Sequence, residues 1–275
     1  MNSFARIACI FASIGGSASV AAAPQSAPSL KPTGKWLVEF ADAMCVASRE
    51  FGTPAKPMTL VFKPSPFGRE MRLMIVRGGI SANPVQTRAI VTLENGATMQ
   101  GAMTTYSPIG KALRIHAIQL KEDNVVALRQ SATVIVASRG GVDASFAVPG
   151  MARAMLVLDE CVANLAEQWG MSRDEQKRMK EYPQSLKPLS EYVSDSDYPA
   201  KALRDSRSGR TGILLRIDSI GAITDCTVVE ASGSSVLDEA SCRLLRTRAK
   251  FKPATDQDGK PMNSLMVTAI NWITG

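Results

Sequence analysis

The chain has 275 residues, 45% of them apolar and 21% charged, with a formal net charge of +7. This balance excludes wholesale disorder and a polytopic membrane protein, and the length suits two modest domains, each able to bury its own core. The basic charge favours anionic surroundings such as lipid head groups or cell-wall polymers, but aromatic residues are only 5% and the Lys and Arg are scattered, so no nucleic-acid partner is expected.

The N-terminus reads as an export signal over residues 1–23. Met1 to Arg6 is a short positive start, Ile7 to Val20 is apolar but diluted by Gly, Ser and Ala, and Ala21 to Ala23 supply a small-residue cleavage region. A spanning helix wants about 20 strongly apolar residues, so cleavage is expected rather than retention as an inner-membrane anchor. Either way the remainder lies outside the cytoplasm. Setting aside Cys9 in the signal, four cysteines remain, Cys45, Cys161, Cys226 and Cys242, an even number in an oxidising compartment. None shows the spacing of a zinc knuckle or redox pair, and His116 is the only histidine, so neither a metal nor another cofactor is expected. Three pairings are open in principle; if each domain folds independently, the pairs are Cys45 with Cys161 and Cys226 with Cys242.

Residues 24–34, rich in Pro and Ser, have the composition of a flexible leader. A mainly β domain of unknown role follows over 35–170. Its strand-like runs are Trp36–Phe40, Met58–Lys63, Met71–Val76, Ala89–Leu93, Leu113–Leu120 and Thr133–Ala137, punctuated by Gly, Pro and Asn as in an antiparallel sheet or sandwich. After Pro149-Gly150, apolar residues at Ala154, Leu158, Cys161, Leu165 and Trp169 step by three or four, which predicts a helix with Cys161 facing the core and Gly170 ending it. Residues 171–197 are polar. Ser172 and Glu175 form a capping-box pattern for a short exposed helix, and the rest reads as linker, reaching at most about 90 Å when extended.

The last 78 residues, 198–275, form a compact pattern. Ile213, Leu215 and Ile217 alternate with Leu214, Arg216 and Asp218 to give one buried and one mixed face, Ser219-Ile220-Gly221 is a turn, and Ala222–Ala231 pairs back. Ser235 is placed to cap a helix whose stripe is Val236, Leu237, Ala240, Leu244 and Leu245, with Cys242 within reach of Cys226. A final strand alternates Met266, Thr268, Ile270 and Trp272 with Val267, Ala269, Asn271 and Ile273. A three-stranded sheet leaves two edges, and an exposed edge accepts an extended peptide by β-augmentation or a second copy of the chain as a homodimer.

The spaced set Tyr198, Pro199, Gly221, Gly233, Leu237, Asp238, Phe251, Pro253 and Trp272, set on those elements, resembles the C-terminal domain of TonB-family energy transducers. The fold expected is therefore α+β: a mainly antiparallel β N-terminal domain with a C-terminal helix, then a small αββαβ domain. The resemblance implies a periplasmic module that grasps a short extended segment of an outer-membrane TonB-dependent receptor and relays energy from an inner-membrane ExbB and ExbD motor. The positions it implies for the receptor peptide are the final-strand residues Val267, Ala269, Asn271 and Ile273 and the segment just before Tyr198; the signature residues themselves read mainly as structural. A full transducer would carry a motor-facing histidine in its anchor and a long Pro-rich spacer, and this sequence has neither. The other reading is a periplasmic adaptor, without energy transduction, that binds peptidoglycan or an envelope protein. The first domain, around Trp36, Cys45–Gly52 and Asp159-Glu160-Cys161, looks like an extra region found ahead of such modules in some exported alphaproteobacterial proteins.

Catalysis is not expected. There is no Gly-x-Ser-x-Gly elbow to pair with His116, no Ser-x-x-Lys, no phosphate loop and no dinucleotide fingerprint. Asp159 and Glu160 are adjacent on a helix and diverge by about 100°, so they read as a solvated edge.

Overall fold

The computed structural model describes residues 29–274 apart from positions 42, 82 and 109. The expected signal, and residues 24–28 of the expected leader, lie outside the described residues. The first domain runs β1 (Leu37–Ala41), β2 (Met44–Thr53), β3 (Lys56–Pro64), β4 (Met71–Gly78), β5 (Val85–Leu93), β6 (Thr98–Tyr106), β7 (Leu113–Leu120), α1 (Glu122–Arg129), β8 (Thr133–Ser138), β9 (Ala144–Ala147) and α2 (Met151–Gln168). Among the described residues the nine strands make one curled antiparallel sheet in the order β1-β2-β3-β4-β7-β6-β5-β8-β9.

Period-two alternation explains the curl's contents. Leu60 and Phe62 on β3, Leu73 and Ile75 on β4, Val91 and Leu93 on β5, and Ile118 and Leu120 on β7 all point to one buried face. Met155, Leu158, Cys161 and Leu165 of α2 fill that face, each buried aliphatic contributing about 1.5 to 3 kcal/mol. The helix ends as anticipated at Gly170. The Gly170 N–H donates to Glu167 O and the Met171 N–H to Ala166 O, the paired bonds of a Schellman cap.

Several elements depart from expectation. Strands β2, β6 and β9 and helix α1 were not anticipated; β2 hides behind Ser48, Arg49 and Glu50, yet buries Cys45, Ala47 and Phe51 in alternation. Residues 29–34, expected as flexible leader, lie against the sheet: the Leu30 N–H donates to Ser145 O, the Ala147 N–H to Leu30 O and the Thr33 N–H to Glu50 O.

The second half contains α3 (Arg173–Arg178), β10 (Met179–Glu181), β11 (Gln184–Ser185), α4 (Ala200–Arg204), β12 (Gly209–Ile217), β13 (Ile223–Glu230), α5 (Ser235–Arg248), β14 (Phe251–Lys252), β15 (Ala254–Asp256), β16 (Pro261–Met262) and β17 (Ser264–Trp272). The main sheet is β13-β12-β17, with α5 across one face. Helix α3 carries the Ser172–Glu175 capping box. Helix α5 is capped at Ser234 rather than Ser235, and the Ser234 side chain makes no capping bond; the Asp238 carboxylate instead accepts from the Ser232 N–H at 2.9 Å.

The stretch read as linker is built into the fold. Strand β10 pairs with β15, and β11 with β14, so residues 179–185 are tied to the last 30 residues of the chain. The face of β12 expected to be mixed is also covered. Leu214, Leu265 and the half-buried Val267 pack with Phe67 of the first domain, Ala166 and Trp169 at the end of α2, and Met171. The two halves therefore share apolar contacts.

Candidate peptide-binding edge

The signature residues form one connected framework. Gly221 has φ +84°, and the carbonyl oxygen of Phe251 lies 1.9 Å from where a Cβ would stand, so only glycine fits beside that strand. Asp238 accepts from the Thr211 hydroxyl and the Ser232 N–H, both at 2.9 Å. Leu237 and Phe251 are buried, and Pro253 Cδ lies 3.5 Å from the same Gly221 Cβ position. The Trp272 indole N–H donates to the Ser241 hydroxyl at 2.9 Å, which in turn donates to Leu237 O. Tyr198 meets Trp272 edge to face at 5.2 Å between centroids and its hydroxyl donates to Arg207 O, while Pro199 caps α4. Gly233 has φ +86° with open space around it.

This framework presents two unlike edges. Strand β13 is irregular, with register shifts at Gly212/Ile213 and Arg216/Ile217, and it carries Asp225 and Glu230, which are held by Arg246 and Arg210. Charges and irregular register are what protects an edge from pairing. Strand β17 is the opposite case: it pairs in unbroken register with β12 from Ser264 to Trp272 and contains no charged residue, proline or glycine. Its outer side faces no other strand among the described residues.

Of the four final-strand positions, Val267 and Ala269 are half-buried and Asn271 is exposed within β17, while Ile273 lies just past its end and is 75% exposed. The C-terminal half of β17 forms one wall of a groove of about 420 Å³. The opposite wall is the segment before Tyr198, represented by Leu189, Val193 and Asp195. The structure thus brings together the two regions singled out in the sequence. It adds Leu189 and Val193, which were submerged in a polar stretch and whose only signal was two apolar residues four apart.

That wall is anchored electrostatically. The Arg248 guanidinium makes two hydrogen bonds to Asp197, at 2.6 and 2.7 Å, and the Ser194 N–H adds a third, which hold the Asp197 carboxyl well below the usual carboxylate range. Tyr192 is buried against Leu245 and Phe251 and receives the Arg248 Nη1 bond on its carbonyl at 3.1 Å.

The four cysteines form two disulfides, Cys45–Cys161 between β2 and α2 and Cys226–Cys242 between β13 and α5. His116 is buried in β7, with its ring nitrogens facing Arg77 and the Thr105 hydroxyl. Asp159 and Glu160 lie on the exposed edge of α2, where Asp159 receives both Arg129 Nη groups at 2.5 and 2.7 Å and Glu160 receives Arg173 at 2.6 Å. Among the described residues no cluster of three or more His, Cys, Asp or Glu could hold a metal ion, and no helix is long and apolar enough to cross a membrane.

Residues 194–274 match the family described as Gram-negative bacterial TonB protein C-terminal. The match begins four residues ahead of Tyr198, at the serine that orients Asp197. No curated protein and no solved structure matches the chain.

Proposed function

We propose, from the premise that residues 194–274 are a TonB C-terminal domain, that this chain is an exported periplasmic protein whose β17 edge receives an extended segment of an outer-membrane TonB-dependent receptor. The observation that carries the reading is the contrast between edges: β17 is long, regular and uncharged, whereas β13 is irregular and charged. A strand laid along β17 gains main-chain hydrogen bonds, and the groove beside Leu189, Val193 and Trp272 takes its side chains. The role is binding rather than catalysis, and it requires no cofactor.

One observation favours the second reading, an adaptor that transmits no force. The module's sheet packs on the first domain through Phe67, Trp169 and Met171, and residues 179–185 carry two short paired strands, β10 and β11, where a spacer would have none. A photo-crosslinking residue at Asn271 in intact Gram-negative cells separates the two. Capture of an outer-membrane β-barrel receptor supports the first; capture of soluble periplasmic proteins or cell-wall fragments alone sinks it and supports the adaptor.

A further inference from the structure

The concave face of the first domain carries, at one end, a cationic cluster that the C-terminal module does not use. Arg77 on β4 and Arg114 on β7 are directly opposed in the antiparallel ladder. At that position their Cβ atoms stand about 5 Å apart, and like charges there destabilise the pair unless something neutralises them. Nothing described does so. Neither arginine forms an ion pair with any described carboxylate.

Their partners are all neutral. Arg77 donates through Nε to His116 Nε2 at 3.0 Å and through Nη2 to Gly141 O at 3.1 Å, while Arg114 donates through Nη2 to Ile80 O at 2.5 Å. Because Arg77 donates to it, His116 Nε2 carries no proton, and Nδ1 faces the Thr105 hydroxyl at 2.9 Å. The histidine is buried and neutral, so it adds no third positive charge. Arg114 Nε is buried and has no acceptor among the described residues, an uncommon state for a charged donor. Both residues are nevertheless only partly buried as a whole.

We infer that the Arg77–Arg114 pair at the end of the concave sheet binds a phosphate group. A phosphate monoester carries close to two negative charges at neutral pH, which matches two guanidinium groups, whereas a carboxylate would leave one unbalanced. Its oxygens can also take the Nη1 groups, which have no acceptor in the contacts above, in the planar geometry that arginine provides. The chain's net charge of +7 draws such anions toward it. The phosphate belongs either to a small soluble molecule or to an anionic lipid head group.

The test uses the full chain at neutral pH and constant ionic strength, titrated with inorganic phosphate against chloride by calorimetry. Saturable binding to the wild type, weakened about tenfold or more by Arg114→Gln and unchanged by Arg88→Gln on the exposed face of β5, is the expected result. No saturable binding, or equal binding by Arg114→Gln, overturns it. Should Arg114→Gln not fold, the Arg114 Nε–H resonance of the wild-type protein must shift on phosphate titration while that of Arg88 stays fixed; equal shifts at both overturn the site. Phosphatidylglycerol vesicles then locate the source: vesicle binding competed by phosphate indicates a head group, and phosphate binding without vesicle binding indicates a soluble ligand.

Discussion

Arg216, near the C-terminal end of β12, donates a hydrogen bond from Nη2 to the main-chain oxygen of Trp169 at the end of α2, at 2.6 Å. The carbonyl belongs to the negative end of a helix, and the donor is cationic, so charge and geometry agree. This bond sits beside the apolar contact of Leu214 and Leu265 with Ala166, Trp169 and Met171, and with them it fastens the C-terminal module to the first domain. Replacing Arg216 by alanine should lower stability by about 1 kcal/mol, since a charged hydrogen bond is worth somewhat more but the side chain is partly solvated. Thermal unfolding checks the loss, and limited proteolysis should show faster cleavage within residues 170–198.

The two disulfides close very different loops. Cys226 and Cys242 are separated by 16 positions, and Cys45 and Cys161 by 116. By the loop-entropy account the first contributes about 3 kcal/mol and the second about 5 kcal/mol. Guanidinium denaturation of the paired serine variants should therefore rank the Cys45/Cys161 removal as the more damaging. The reverse order would mean that strain or residual unfolded structure, not loop closure, governs both.

Gly221 and Gly233 share a positive φ but differ in surroundings. An alanine at Gly221 must also displace the Phe251 carbonyl, whose own N–H donates to Gly221 O and ties the turn to β14, whereas an alanine at Gly233 meets nothing within 4 Å. Gly221→Ala should cost about 3 kcal/mol or more, and Gly233→Ala about 1 kcal/mol, as measured by denaturant midpoints at unchanged m.

How much of this was legible beforehand follows from how local each cause is. Helix α2 could be read because Ala154, Leu158, Cys161 and Leu165 repeat at helical spacing, and its end because Gly170 follows at once. The αββαβ order was legible in alternation and in the turn at Gly221. Strand β2 was not, because burial of Cys45, Ala47 and Phe51 is interleaved with Ser48, Arg49 and Glu50, whose polarity masks the period. The covering of Leu214 was also hidden. It depends on Phe67 and Met171, positions remote in sequence, and only the folded topology brings them to the open face of β12. The groove wall failed for the same reason: Leu189 and Val193 acquire meaning only when Arg248 and Asp197 clamp that segment beside β17.

His116 supplies a pH dependence with a defined window. Burial first, and then the charges of Arg77 and Arg114, push its pKa down to about 4 from 6.5. The unfolded chain takes up this proton near pH 6.5, but the folded chain only near 4, so between those values the unfolded state binds more protons. Stability should therefore fall as pH drops through that window, by up to about 3 kcal/mol, and the loss should be complete near pH 4. The Asp197 carboxyl, lowered by Arg248, contributes stability that is present above its unfolded pKa of 3.8 and is lost only below it. The two effects are thus separable. Chemical denaturation between pH 7 and 4.5 should show the slope in the wild type and a much flatter profile in His116→Gln, which keeps a polar group for Arg77 and Thr105 without the titration. An equal slope in both proteins would place the titrating group elsewhere.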